Sequence, residues 1–220
     1  QADLLRNGEL WVSLSHHGRF SAREAGDCLQ RINSRLEKSV AHLKTTNVLV
    51  ITWGTAWVYR HRQLGRVVAN CHKFPATDFE RFRLSPEDIE QVYTDLLSRL
   101  HSRYPDMRVL FTVSPIRHWK DGAHANQLSK STLLLAIDRL QQLFPDHVFY
   151  FPSYEIVLDE LRDYRYYADD MLHPSPLAVR YLWERFSEAF FSAETKQVIT
   201  AIEDITKDLS HKPFHPESEA

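Results

Sequence analysis

The sequence predicts an α/β protein built on a mainly parallel sheet, and three observations support that fold class. Short apolar runs alternate with longer amphipathic segments along the 220 residues. The first apolar run ends in Gly and the second is stopped by Pro, as buried strands that lead into loops commonly are. The order strand, helix, strand, helix, strand is typical of a parallel sheet that helices cover on both faces. We therefore expect a three-layer α/β/α sandwich.

Local signals place the individual elements. Ser21 and Glu24 have the spacing of a capping box, and apolar residues then recur at helical intervals, which predicts a helix over 21–44. Ser85-Pro-Glu-Asp predicts the start of a helix that extends to about Tyr104. We expect buried strands at 47–54, 108–115 and 148–154, and further helices at 127–144, 176–191 and 195–209. Residues 1–212 are predicted to form a single domain and 213–220 a C-terminal tail.

Composition and charge argue against several classes of protein. Lys plus Arg number 27 and Asp plus Glu number 29, so the net charge of −2 gives no general attraction to nucleic acid or to anionic membranes. No run of about 18 apolar residues is present to span a membrane. Cys28 and Cys71 form neither a disulfide framework nor a paired zinc motif. We expect no nucleic-acid partner and no cofactor. The oligomeric state stays open, and so does the compartment, with the cytoplasm favoured.

Polar side chains follow each predicted strand, at the end of the sheet where parallel folds place their binding sites. The sequence therefore predicts a pocket at the carboxyl ends of the strands. Its candidate residues are Gly54 and Asn70 after the first strand, Arg117 and His118 after the second, and Asp170 and His173 beyond the third.

Asp170 and His173 are three residues apart in a predicted turn just ahead of a helix that begins with proline. That spacing lets a carboxylate orient an imidazole, which fixes the tautomer and leaves the second ring nitrogen available as a base. Alternatively, the aspartate caps the helix beside a surface histidine.

Gly54 and Asn70 could stabilise an oxyanion, because a glycine N–H allows close approach and an Asn amide supplies a second donor. Each could instead serve the backbone, Gly54 by ending a strand and Asn70 by capping a turn. Arg117 and His118 could bind an anionic or carbonyl group of the substrate. Arg117 could equally form an ion pair with Asp121 or Glu155.

Three further groups have weaker support. Cys71 beside His72 would provide a cysteine nucleophile, but adjacent side chains seldom converge on one point. The pair His16-His17 is a poor joint metal ligand, and we expect no metal site. Tyr164-Arg-Tyr-Tyr167 could line a sugar site or could pack in the core or in a lid.

Seven strings spread over nearly the whole chain resemble a single family. They are Trp-Gly-Thr-Ala-Trp-Val-Tyr at 53–59, Val-Val-Ala-Asn-Cys-His-Lys at 67–73, Thr-Val-Ser-Pro-Ile-Arg-His at 112–118, Asn-Gln-Leu-Ser-Lys at 126–130, Tyr-Phe-Pro-Ser-Tyr-Glu at 150–155, Asp-Glu-Leu-Arg-Asp-Tyr-Arg-Tyr-Tyr at 159–167 and Asp-Met-Leu-His-Pro at 170–174. Together with a His-Lys-Pro-Phe-His-Pro ending, they resemble the GSCFA family, which is related to the SGNH (GDSL-like) hydrolases.

The resemblance implies an SGNH fold and roles for four of the candidate residues. Gly54 resembles the glycine of the second SGNH block, Asn70 the asparagine of the third, and Asp170 and His173 the Asp-x-x-His of the last. The implied reaction is attack of a serine on an ester carbonyl, with His173 as base and Asp170 as its orienting partner. The oxyanion would be bound by the serine N–H, the Gly54 N–H and the Asn70 side chain.

One departure from the family pattern affects the nucleophile. The Gly-Ser-Cys-Phe-Ala string that names the family does not occur in this sequence. Ser13 and Ser15 lie in a stretch that resembles a later family segment, and neither is assigned the role. In SGNH folds the nucleophile follows a central first strand. We therefore expect that strand to be missing from these residues and to lie upstream or in another chain, and the 220 residues alone to be inactive.

The leading hypothesis is a serine esterase or acyltransferase that acts on O-acyl esters, O-acetyl esters above all, of carbohydrates or similar small molecules. A non-catalytic carbohydrate-binding or scaffold module with a vestigial pocket is one alternative. Metal-dependent hydrolysis is the other.

Overall fold

A computed structural model describes residues 4–210 as a mixed α/β fold. In chain order the strands are β1 (Leu4–Asn7), β2 (Leu10–Ser13), β3 (Val48–Trp53), β4 (Trp57–His61), β5 (Arg66–Val68), β6 (Phe79–Arg83), β7 (Arg108–Val113) and β8 (Val148–Phe151). The helices are α1 (Ala25–Leu43), α2 (Pro86–Arg103), α3 (Gly122–Leu143), the single turn α4 (Ser153–Glu155), α5 (Pro176–Phe190) and α6 (Ala193–Ser210). The chain divides into two compact units, the first running to Glu155 and the second beginning at Ile156.

A parallel sheet with the strand order β3-β7-β8 organises the first unit. Trp53 pairs with Val113 and Thr112 pairs with Phe151, so the carboxyl ends of all three strands lie at the same end of the sheet. Helix α3 packs against β7 and β8. The core that results includes Val109, Phe111, Val113, Leu133, Ile137, Leu140 and Val148. The predicted parallel sheet and its three strands are confirmed.

Strand β3 is less buried than its apolar sequence predicts. Val48 is 53% exposed and Val50 is 51% exposed, whereas Trp53 at the end of the strand is buried. The side chains of alternate residues point to opposite faces of a sheet, so one face of β3 is covered and the other is open. Among the strands within residues 4–210, β3 pairs only with β7. The prediction of a strand buried on both faces is therefore wrong for β3.

Two antiparallel elements of the first unit have no counterpart in the prediction. Strands β1 and β2 form a hairpin, and β5, β4 and β6 form a sheet in that order. The β6 sequence, Phe-Glu-Arg-Phe-Arg, lacks the strict alternation of apolar and polar residues that identifies a half-buried strand. Arg81 of this strand instead packs on aromatic rings: its guanidinium lies 4.3 Å from the centroid of the Trp57 ring and 5.8 Å from that of the Tyr59 ring.

The predicted helices exist, with differences at their ends. Helix α2 begins at Pro86 with the predicted Ser85 cap, and Asp88 completes a capping box. The box predicted at Ser21 is wrong, because α1 begins four residues later with Glu24 as its N-cap. Ser21 instead ends a 3-10 turn, where its N–H donates to the Gly18 carbonyl.

The second unit begins with a π-helical turn, Ile156–Glu160, and contains α5 and α6. Val157, Leu161, Tyr167 and Ala178 form its buried cluster. No helix within residues 4–210 is both long and apolar enough to cross a lipid bilayer. The predicted tail, 213–220, lies outside the described residues.

Candidate functional site

Asp170 and His173 form a hydrogen-bonded pair in the second unit. The Asp170 Oδ2 atom lies 2.5 Å from His173 Nδ1. The Oδ1 atom of the same carboxylate accepts the backbone N–H groups of Leu172 and His173, each at 2.9 Å. One carboxylate therefore fixes both the imidazole and the turn that presents it. The imidazole is 57% exposed.

Local chain geometry fixes this turn. The Ala168 N–H donates to the His173 carbonyl at 2.8 Å, and Tyr167 and Pro174 form an antiparallel bridge. Met171 adopts a φ of 61°, a left-handed conformation that lets the chain reverse between Asp170 and His173. The N-cap of α5 is Ser175, so the alternative in which Asp170 caps that helix is wrong.

The charge state of Asp170 determines the tautomer of its partner. Hydrogen bonds from the backbone N–H groups of His173 and Leu172, and then from the His173 ring, lower the pKa of Asp170 to about 2. At neutral pH the carboxylate is ionised and can only accept, so the ring proton resides on His173 Nδ1. The lone pair on Nε2 is then available to take a proton.

Gly54 lies at the carboxyl end of β3, in the first unit. The carbonyl of Trp53 accepts the Ser114 N–H at 2.8 Å, which extends the ladder between β3 and β7 by one bond. Because a trans peptide is planar, the Gly54 N–H points to the side opposite that carbonyl, away from β7. The Gly54 N–H therefore points toward the edge of β3 that no strand within residues 4–210 covers.

Ser129 and Lys130, two consecutive residues of α3, form hydrogen bonds to the loop that follows β3. The Ser129 hydroxyl accepts the Ala56 N–H at 2.8 Å and lies 2.9 Å from the Thr55 hydroxyl. The Lys130 ammonium donates to the Gly54 carbonyl and to the Ser114 carbonyl, each at 2.6 Å. Burial lowers the pKa of Lys130 to about 8. The ends of β3 and β7 are thus tied to one helix.

His118 lies beside this loop. Its Nε2 atom is 4.0 Å from the position that a Cβ on Gly54 would occupy. The backbone N–H of His118 donates to the Asn126 Oδ1 atom at 3.0 Å. Burial, and then the charge of Lys130, lower the pKa of His118, while a hydrogen bond with the Gly54 backbone opposes this shift. The net lowering of the pKa favours the neutral imidazole. The structure therefore brings together Gly54 and His118, two of the predicted residues.

Asn70 lies in a different loop of the first unit. Its Oδ1 atom accepts the His72 N–H at 2.8 Å, and its own N–H donates to the Leu14 carbonyl. His72 adopts a φ of 48°, and its Nε2 atom lies 2.7 Å from the Ser13 carbonyl. Asn70 therefore caps a turn, as the structural alternative predicts. Because that bond uses the amide oxygen, it leaves the Nδ2 donors for a second role.

The acidic partners considered for Arg117 are engaged by other side chains. Asp121 pairs with Arg81 at 2.6 Å, and Glu155 accepts the Tyr150 hydroxyl at 2.7 Å. The Arg117 guanidinium lies 6.0 Å from the centroid of the Trp119 ring.

Cys71, His16 and His17 are the residues considered for cysteine and metal chemistry. Burial raises the pKa of Cys71, which keeps it a thiol and a poor nucleophile. The Nδ1 atom of His16 is hydrogen-bonded to Ser13, and that of His17 accepts the Arg19 N–H. No group of three or more His, Cys, Asp or Glu side chains in this range is placed to hold a metal ion.

Sequence reasoning missed Ser129 and Lys130, although a signal for the lysine was present. Lys130 stands at helical spacing from Leu133, Ile137 and Leu140, which form the buried face of α3. A lysine on such a face must find polar partners inside the fold, because an isolated buried charge is costly. The spacing cannot identify those partners.

One comparison with known proteins gives a match. The model of the GSCFA family matches residues 1–186. No curated protein and no solved structure matches the chain.

Proposed function

Because the chain belongs to the GSCFA family, we propose that it is an SGNH-type serine esterase, or an acyltransferase that uses the same groups. The substrates would be O-acyl esters, O-acetyl esters above all, carried by carbohydrates or similar small molecules. The observation that carries the proposal is the Asp170–His173 pair, whose carboxylate fixes the tautomer that leaves Nε2 available as a base.

In the proposed reaction a serine hydroxyl attacks the carbonyl carbon of the ester and His173 Nε2 takes its proton. The tetrahedral intermediate then collapses, and the alcohol leaves with the proton that His173 returns. Water completes hydrolysis of the acyl-enzyme, or a second hydroxyl completes acyl transfer. Asp170 keeps the imidazole oriented and stabilises the imidazolium throughout. The reaction needs no cofactor.

The proposed oxyanion donors are the Gly54 N–H and the Asn70 amide. A peptide N–H that points away from its own sheet is a fixed donor, and such donors favour the charge that develops on the carbonyl oxygen. Arg117 and His118 would contact the substrate. The lowered pKa of His118 favours its neutral form, so its imidazole would contact the substrate without bringing a charge.

The proposed fold is the SGNH three-layer sandwich, in which a further strand pairs with the open edge of β3. The edge of β3 that pairs with no strand within residues 4–210 supports the further strand. The open face that carries Val48 and Val50 supports a further covering layer, because parallel sheets are commonly covered on both faces. We assign the nucleophile to no serine within residues 4–210. Ser13 is buried, and its hydroxyl is hydrogen-bonded to His16 and Ser15.

The test uses the protein expressed from its complete reading frame, with an aryl acetate as substrate. We expect His173→Ala to lower kcat/KM by roughly 100- to 10,000-fold, the range typical of a lost general base. Asp170→Asn should fall in the same range, because the amide no longer fixes the Nδ1–H tautomer. His124→Ala is the matched control, since His124 is exposed on α3 and has no place in the proposed reaction.

A second measurement tests for the nucleophile directly. A serine-directed phosphonate should add one adduct to the intact mass of the wild-type protein. His173→Ala should react much more slowly. Full esterase activity in a folded His173→Ala protein would exclude the assigned base. Absence of both turnover and adduct would favour the non-catalytic alternative.

A further inference from the structure

Lys130 occupies the point at which the ladder between β3 and β7 ends. The two strands are paired as far as Trp53 and Val113, and one further bond joins Ser114 to the Trp53 carbonyl. Beyond that bond the carbonyls of Gly54 and Ser114 receive no N–H from the neighbouring strand. The Lys130 ammonium donates to both, at 2.6 Å each. The Lys130 side chain thus supplies hydrogen-bond donors to the segments that follow both strands, where the ladder ends.

Packing alone does not explain a lysine at this position. Lys130 is 0% exposed, and a buried ammonium lowers stability unless its N–H groups are satisfied. A methionine would fill a similar volume without a charge to desolvate. Beyond the two carbonyls, the ammonium lies 5.6 Å from the centroid of the Tyr154 ring. The contacts that distinguish lysine from methionine here are therefore those to Gly54 and Ser114.

These contacts fix the direction of one N–H group. The peptide before Gly54 is held through the Trp53 carbonyl, which accepts from Ser114. The peptide after Gly54 is held through the Gly54 carbonyl, which accepts from Lys130. With the planar peptides on both sides of its Cα held, Gly54 cannot rotate its N–H without breaking a bond.

We infer that Lys130 is a positioning residue, which holds the Gly54 N–H in the direction that oxyanion stabilisation requires by bonding the carbonyls of Gly54 and Ser114. This inference rests on the proposed esterase function, because it assigns the Gly54 N–H to the oxyanion. Lys130 does not touch the substrate. It acts through Gly54, and its loss should affect the transition state more than substrate binding.

The kinetic test compares Lys130→Met with Leu140→Ala in the protein from the complete reading frame. Leu140 is also fully buried on α3, and its truncation weakens packing without removing a bond to either loop. We expect Lys130→Met to lower kcat on the order of 100-fold, the scale of a misplaced catalytic group, with KM within about threefold. Leu140→Ala should keep kcat within about threefold of wild type under conditions where the protein stays folded. Equal kcat values in the two variants would overturn the inference.

A second measurement separates failure of this inference from failure of the proposed function. Amide hydrogen exchange at Ala56 and Ser114, whose N–H groups are bonded to Ser129 and to the Trp53 carbonyl, should be faster in Lys130→Met than in Leu140→Ala, because only the former loses the Lys130 bonds at the ends of β3 and β7. If the wild-type protein cleaves no ester, the proposed function fails, and the exchange comparison alone tests whether Lys130 holds this loop. Equal exchange at Ala56 and Ser114 in the two variants would then reject the inference.

A measurement on the wild-type protein covers the case in which Lys130→Met does not fold. An ammonium held by two carbonyls away from water should give a slowly exchanging ¹H–¹⁵N signal, unlike the exposed lysines. Lys130→Arg, which keeps a cation with several donors, identifies the signal by its loss. Absence of a slowly exchanging lysine ammonium would overturn the inference.

Discussion

Gly54 allows the proposed oxyanion donor to be tested by adding a single methyl group. The nearest atom to an added Cβ is His118 Nε2 at 4.0 Å, an ordinary contact distance, so Gly54→Ala should fold. The methyl would occupy space beside the N–H that a substrate oxygen must approach. We expect kcat/KM to fall by roughly tenfold or more, since loss of an oxyanion donor costs about 100- to 1,000-fold. Ester hydrolysis and thermal unfolding measure the two effects.

Gly26→Ala is the matched control for this substitution. Gly26 lies in α1, and a Cβ there meets no atom of residues 4–210 within 4 Å. Because Gly26 is the second residue of α1, alanine should stabilise the helix by less than the about 0.5–1 kcal/mol expected in a helix interior, and it should leave turnover unchanged. A folded Gly54→Ala protein with wild-type kcat/KM would show that the space beside this N–H is not used.

Sequence distance explains which site residues could be predicted. The Asp170–His173 contact spans three residues and needs only one turn, so its spacing alone predicts it. The Lys130 contacts span 76 and 16 residues, and they depend on how α3 packs across the strand ends. Periodicity identifies a lysine on the buried face of a helix, but the partner carbonyls follow only from the tertiary fold.

At the scale of elements, α1 and α2 show when a capping signal predicts a helix start. Ser85 precedes Pro86, whose fixed φ favours the first helical position, and the Ser85 hydroxyl accepts the Asp88 N–H at 3.1 Å. Ser21 has equally good spacing to Glu24, but the preceding 3-10 turn and the backbone bonds of Ala22 to Trp11 hold that segment extended. Tertiary contacts override a local signal that has no proline to reinforce it.

The cap of α2 gives a prediction for stability. Ser85→Ala should lower the free energy of unfolding by about 1 kcal/mol, because the Asp88 N–H loses its acceptor. Asp88→Asn should cost less, since its amide oxygen can still accept the Ser85 N–H. Urea denaturation measures both changes.

Ser39→Ala serves as the control, because Ser39 lies inside α1 and its hydroxyl donates only to the Arg35 carbonyl one turn earlier. Alanine is the better helix former there, so stability should be unchanged or slightly higher. If Ser39→Ala lowered the free energy of unfolding as much as Ser85→Ala does, the capping argument would be contradicted.

At the scale of the whole molecule, the parallel sheet could be predicted and the antiparallel sheet could not. Strands β3, β7 and β8 are apolar runs in sequence, because parallel strands are commonly buried. Strands β4 and β6 mix Arg with aromatic residues, and their pairing places Arg60 on the Phe82 ring and Arg81 on the Trp57 ring. Such cross-strand contacts depend on register, which the composition of a single strand does not specify.

Buried ionisable groups make the stability of the fold depend on pH. The contribution of Lys130 to this dependence falls in the alkaline range. Its pKa is about 8 in the folded protein against an ordinary value of 10.5, so between these values the unfolded chain binds more protons. Stability contributed by this group therefore rises with pH across that range. Tyr150 acts in the opposite direction above about pH 10, because burial raises its pKa in the folded protein.

The difference in unfolding free energy between wild type and Lys130→Met isolates this effect, because the other titrating groups are common to both proteins. We expect wild type to gain on the order of 1 kcal/mol per pH unit relative to the variant between pH 8 and 10. Below pH 7 the difference should be constant, because lysine keeps its proton in both states there. Denaturant titrations at pH 6, 7, 8, 9 and 10 measure it. A difference independent of pH would mean that the ammonium keeps its proton throughout, and that the two carbonyls offset the whole cost of its burial.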